Sequence, residues 1–196
     1  MTTFLKIGSA SLLVMLSCQA NAADPNPSSP DYSQLEQQAA QRITAFSDAL
    51  KLQLQLAIKQ GGLTNAIEVC KSVAPNISQE YSTEGWLLKR TSLRVRNPIN
   101  AADTWETSVL EQFNGSHDSG KGIDTLRASL VDLQSSKPIY RYMRAIPIQP
   151  VCLSCHGENI SGEVTEQLAQ QYPQDRATGF KLGDIRGAFS LTKALD

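Results

Sequence analysis

The chain has 196 residues and 21.4 kDa, of which 41% are hydrophobic, 19% charged and 6% aromatic, a balance that excludes intrinsic disorder for most of its length. Its 18 lysines and arginines against 19 acids give a net charge of −1 and a pI near 6.1. That excludes the basic footprint a nucleic-acid backbone or an anionic membrane requires.

The first 22 residues read as a secretory signal peptide. Lys6 precedes the apolar run Ile7-Gly8-Ser9-Ala10-Ser11-Leu12-Leu13-Val14-Met15-Leu16, and Ala20-Asn21-Ala22 supplies the small residues of a cleavage site. An apolar core of about 10 residues is too short for a membrane span, which needs roughly 20. Export to the periplasm with cleavage after Ala22 follows; the lesser alternative is a lipoprotein anchored at Cys18, within Leu16-Ser17-Cys18. Removing 22 of the 196 residues leaves 174, with three cysteines: Cys70, Cys152 and Cys155. An odd number cannot all pair internally, so at least one thiol is buried or has another use. Residues 23–30, rich in Pro and Ser, read as a disordered spacer, and residues 31–196 as a single domain.

Within that domain Leu35, Ala39, Ile43, Phe46, Leu50 and Leu54 recur at helical spacing until Gly61-Gly62, predicting a long amphipathic helix. A second helix is expected over 65–74, capped by Thr64 and stopped by Pro75, with Cys70 on its inner face. A strand is expected over Trp86–Val95. Asp103-Thr104-Trp105-Glu106 carries the pattern of a capping box opening a third helix. Strands follow over 126–133 and Ile139–Ile146, then a short helix over Glu163–Tyr172, then a strand pair over Phe180–Leu191 turned at Gly183-Asp184. This order predicts an α+β fold on an antiparallel sheet rather than a doubly wound one.

The chemistry is concentrated in Cys152-Leu153-Ser154-Cys155-His156, flanked by Pro147, Pro150 and Gly157 and placed outside any regular element. Cys-x-x-Cys-His is the attachment signature of c-type haem. Two thiols at i and i+3 can add to the two vinyl groups of one haem while the following imidazole ligates iron. Such attachment follows export, so the leader peptide and the pentapeptide point the same way. A disulfide or thiol oxidoreductase would want the cysteine pair at the start of a long helix, and a structural zinc site would want a second paired set of ligands; neither context is present.

Candidates for a second axial ligand are few. On the residues alone, Cys70 reads as a small buried hydrophobe, His117 as a solvated histidine in the polar run 114–122, and Met143 as strand core. Arg90, Arg94 and Arg96 share parity on the expected strand and form a cationic stripe. Two roles fit it: pairing with haem propionates, for which a guanidinium fork is suited, or a solvated sheet face paired with acids such as Glu106. Tyr140, Tyr142 and Arg144 fit core packing better than pocket lining.

The chain resembles the exported haem c-binding domains of the cyanobacterial Tll type, long catalogued as a domain of unknown function and similar to PAS domains in fold. The resemblance covers about Leu35 to Leu195. It rests on Ala66-Ile67-Glu68-Val69-Cys70 with Ala74-Pro75, on residues 89–100 followed by Trp105-Glu106, on residues 150–157, and on 172–180 with 183–190. It implies a PAS-like sheet flanked by helices, one covalent haem c, and an iron held by His156 and Cys70. A thiolate ligand favours ferric iron and a low potential. The function expected is low-potential electron transfer with a redox partner protein. The alternative is a haem-based redox or gas sensor acting through a separate signalling partner, as the fusion of similar domains to signalling receptors suggests. A haem enzyme would want an open distal position and acid-base groups, so an enzyme is the less favoured class.

Overall fold

The computed structural model describes Met1, residues 32–134 and residues 136–195. The expected signal peptide, apart from Met1, and the expected spacer lie outside the described residues, as does the Cys18 alternative. Among the described residues no helix is long and apolar enough to cross a membrane.

Helix α1 (Ser33–Glu80) is interrupted at Gly61-Gly62, where Gly62 takes φ 74°, the left-handed region that glycine enters without penalty. The expected break is therefore observed, and the Asn65 amide ties it down by donating to the Ala57 carbonyl at 2.9 Å. The helix does not stop at Pro75 as the sequence predicts; it runs on to Glu80. Burial of Ile77 against the sheet outweighs the one backbone bond that proline removes.

Strands β1 (Trp86–Thr91), β2 (Arg127–Asp132), β3 (Ile139–Pro147) and β4 (Ile185–Ala194) form one antiparallel sheet in the order β1-β4-β3-β2. Successive side chains alternate between its faces. Trp86, Leu88, Tyr140, Tyr142, Phe189 and Leu191 meet Ala39, Ile43, Phe46 and Ile77 of α1. Met143, Ala145 and Ala188 face the other way, toward Val109, Leu110 and Phe113 of α2 (Thr104–Asp118). The fold is thus α+β, an antiparallel sheet covered by helices with a long helix at its N-terminal side, as expected. Tyr140, Tyr142 and Met143 are core residues.

The capping box is present: Asp103 accepts from the Glu106 backbone amide at 2.9 Å and Glu106 accepts from that of Asp103 at 3.0 Å. Glu106 is fully buried, where Lys89, Thr91 and Ser190 also donate to it. This one carboxylate joins α2 to β1 and β4.

Three boundaries differ from the sequence expectation. First, β1 ends at Thr91 instead of Val95. The Ser92 hydroxyl accepts from the Arg94 amide at 3.1 Å and contacts the Arg186 carbonyl at 2.9 Å, turning the chain off the sheet. Arg94 and Arg96 consequently lie in the following loop, and strand parity places only Arg90. Second, α2 continues through Asp118, so His117 is in a helical turn rather than a loop. Third, the strand pair expected over Phe180–Leu191 is the single strand β4, preceded by a turn in which Lys181 donates its amide to Asp184 at 2.7 Å. Phe180 makes an isolated bridge to Gly157 and packs with Ile148, Ala177, Cys152 and Leu153.

Candidate haem-binding site

Pro147, Gln149 and Pro150 deliver the chain from β3 into a short 3-10 turn (Pro150–Cys152) and then one turn of helix, α3 (Leu153–His156). The pentapeptide was expected outside regular structure, and this helical turn is a correction with a chemical consequence. Residues i, i+3 and i+4 of a helix share a face, so Cys152, Cys155 and His156 are presented together. Cys155 packs against Ile67 of α1 and against Val164 and Leu168 of α4 (Gly162–Gln171). Cys70, one turn beyond Ile67, is thereby brought beside the motif. Burial raises the Cys155 thiol's pKa, Arg96 opposes that shift, and the Cys70 thiol is near enough to add to it. Burial pushes the Cys70 thiol upward, against the opposing charges of Arg90 and Arg96. All three thiols are free, and the described residues contain no cluster of three or more His, Cys, Asp or Glu arranged for a metal ion.

His156 is held on one side only. Its Nδ1 lies 2.6 Å from the Ala177 carbonyl oxygen, and its ring meets Phe180 edge-on. A carbonyl can only accept, so Nδ1 carries the proton and Nε2 is left with its lone pair. Burial, reinforced by Arg186 and Arg96, pushes its pKa down to about 2. The imidazole is therefore neutral, the form that ligates a metal.

Around these groups stand four guanidinium groups. Arg90, on the α1 face of β1, has its pKa lowered by burial, while Cys70 and Tyr172 act in the opposite direction. Arg94 donates to the Thr178 carbonyl and lies 4.2 Å over the Phe180 ring. Arg96 pairs with Asp175 at 2.9 Å. Arg186 donates to the Ser92 hydroxyl and the Arg94 carbonyl, both at 3.1 Å, and burial followed by its cationic neighbours Arg96 and Arg90 lowers it to about 10. Among the described residues Asp175 is the one carboxylate in an ion pair with any of the four. A cluster with this excess of positive charge fits a ligand bearing two negative charges. Two thiols at i and i+3, a neutral imidazole with a free lone pair, a neighbouring third thiol and a cationic patch together suit a haem with its two propionates.

The site residues named from the sequence, Cys70, Arg90, Arg94, Arg96, Cys152, Cys155 and His156, are all in this region. Met143, fully buried, faces α2 on the far side of the sheet from α1. His117 lines a cleft of about 350 Å³ that it shares with Arg94 and Phe180 but with none of the cysteines. A smaller cleft of about 180 Å³ is lined by Lys71, Arg96 and Tyr172 among others. Sequence reasoning missed Arg186, Asp175, Ala177 and Phe180. Their only signal was membership of the blocks that carry the family resemblance.

Gly157 closes the motif. Its amide donates to the Leu153 carbonyl at 2.9 Å, and an added Cβ would sit 2.6 Å from that same oxygen. Gly157→Ala is expected to displace α3 and lower covalent haem incorporation several-fold, read as haem absorbance per protein after export. Incorporation at the wild-type level would show that the turn tolerates the displacement.

A sheet covered by helices, with a Cys-x-x-Cys-His turn beside a half-buried cysteine, defines the class. A family model described as Tll0287-like matches residues 28–193, and the chain belongs to that family. Among solved structures it is similar to the crystal structure of the cyanobacterial heme-protein Tll0287, with 24% identity and a TM-score of 0.58, over 85% of this chain and 98% of that one. No curated protein matches.

Proposed function

We propose that this protein is an exported, periplasmic monohaem c-type protein that carries electrons at low potential. In this reading Cys152 and Cys155 would form the thioether links, and His156 and Cys70 would be the residues that hold the iron. The observation that carries it is the convergence of Cys70, on α1, with a Cys-x-x-Cys-His helical turn whose histidine has Nε2 free. The heme-protein Tll0287, similar over most of the chain, supports it.

The haem would supply an iron that cycles between ferric and ferrous states. The protein supplies everything that biases that cycle. His156 is oriented by Ala177, Cys70 bound to iron as a thiolate would favour the ferric state, and Arg90, Arg94, Arg96 and Arg186 would offer donors to the propionates. Cys155 packs against the apolar side chains of Ile67, Val164 and Leu168.

Electron transfer needs a haem that keeps both ligands through reduction. The expected result is a midpoint potential well below that of Met/His-ligated c-type haem and a reduced spectrum unaltered by carbon monoxide. Carbon monoxide binding at the reduced iron would overturn this reading in favour of a haem-based sensor.

A further inference from the structure

We propose that the Arg96–Asp175 ion pair is a positioning device for His156 that sets the haem's reduction potential through the Ala177 carbonyl. This rests on the haem reading above.

The geometry is a closed circuit. Asp175 Oδ2 accepts from Arg96 Nε at 2.9 Å, and Oδ1 accepts from the Ala177 amide at 2.7 Å. The Ala177 carbonyl in turn accepts from His156 Nδ1 at 2.6 Å. Arg96 Nη2 donates to the Cys155 carbonyl at 2.5 Å and, at 3.4 Å, to that same Ala177 carbonyl. One carboxylate thus fixes the residue that orients the imidazole, and through Arg96 it holds the backbone of the attachment cysteine. The two side chains are only 13% and 11% exposed, so their charges are weakly screened.

Two opposing influences meet at His156. A carbonyl accepting from Nδ1–H makes the imidazole a stronger donor and favours ferric iron. Arg96, donating to the same carbonyl, weakens that acceptor and adds positive charge that favours ferrous iron. Asp175 balances Arg96. Removing either charge alone should therefore shift the potential, and in opposite directions.

The test uses the exported holoprotein as wild type, Asp175→Asn, Arg96→Gln and the double variant, each first assayed for covalent haem. Asp175→Asn is nearly isosteric and keeps an oxygen for the Ala177 amide. At a fixed applied potential the ratio of reduced to oxidised haem should rise roughly tenfold in Asp175→Asn, the weight of an unneutralised charge in a partly buried site. It should fall comparably in Arg96→Gln and return near wild type in the double variant. If Arg96→Gln fails to accumulate, Arg96→Lys replaces it: it retains the charge but not the fork, so its ratio should move less than that of Asp175→Asn. Single variants that shift in the same direction, or not at all, would overturn the proposal, because a merely structural role predicts no opposition of sign. Absence of covalent haem in the wild type would instead overturn the haem reading.

Discussion

Cys70→Ala is expected to leave the haem covalently attached while changing its ferric spectrum and raising its midpoint potential by on the order of 0.1 V or more, within the roughly 0.8 V range that axial ligands span. On the proposed reading attachment depends on Cys152 and Cys155, which a substitution on α1 does not remove. On the proposed ligation the iron would lose an anionic sulfur, and with it the electron density that favours the ferric state. The fold should survive, because Cys70 is only partly buried and alanine is an excellent helix former. Visible spectroscopy and a redox titration of the variant beside wild type check this. An unchanged spectrum would remove Cys70 from the coordination sphere and direct attention to His117, whose buried Nδ1 has no hydrogen-bond partner.

Glu106→Ala is expected to destabilise the protein by about 3 kcal/mol, the loss typical when a buried carboxylate is removed and its partners are left unpaired. In a domain of this size that lowers Tm by roughly 10 °C. Four groups lose their acceptor: the Asp103 amide, the Lys89 ammonium and the Thr91 and Ser190 hydroxyls. The Thr91 and Ser190 side chains lie in the sheet, where water does not replace the lost bonds. Glu106→Gln keeps the shape and part of the acceptor capacity and should lose less. Thermal unfolding followed by circular dichroism separates the two variants, and equal Tm values for alanine, glutamine and wild type would contradict this role.

The legible parts of the sequence are those specified by local chemistry. The capping box at Asp103 and Glu106, the break at Gly61-Gly62 and the alternation through β3 each depend on neighbours a few residues away. The pentapeptide was legible for the same reason. What escaped depends on contacts distant in sequence. Leu93 and Val95 prolong the apolar pattern of β1, but the chain turns at Ser92 because its hydroxyl meets Arg186, 94 residues later. An added Cβ at Gly187 would lie 2.3 Å from the Thr91 carbonyl; that close approach is invisible in a run of sequence. Pro75 carries a helix-stop signal that burial of Ile77 overrides. His117 sits among Asn, Gly, Ser and Asp, yet the packing of Val109, Leu110 and Phe113 carries α2 through it. Arg186 reads as one more strand residue until the fold sets it beside Arg90, Arg94 and Arg96.

Covalent haem on Cys152 and Cys155 is the central claim, and acid–acetone extraction of the exported protein followed by a pyridine haemochrome spectrum tests it most directly. The account predicts that the colour stays with the polypeptide and gives a c-type haemochrome, and that Cys152→Ser with Cys155→Ser abolishes it. Haem that passes into the acetone, or a colourless protein from a host with working attachment machinery, would contradict it.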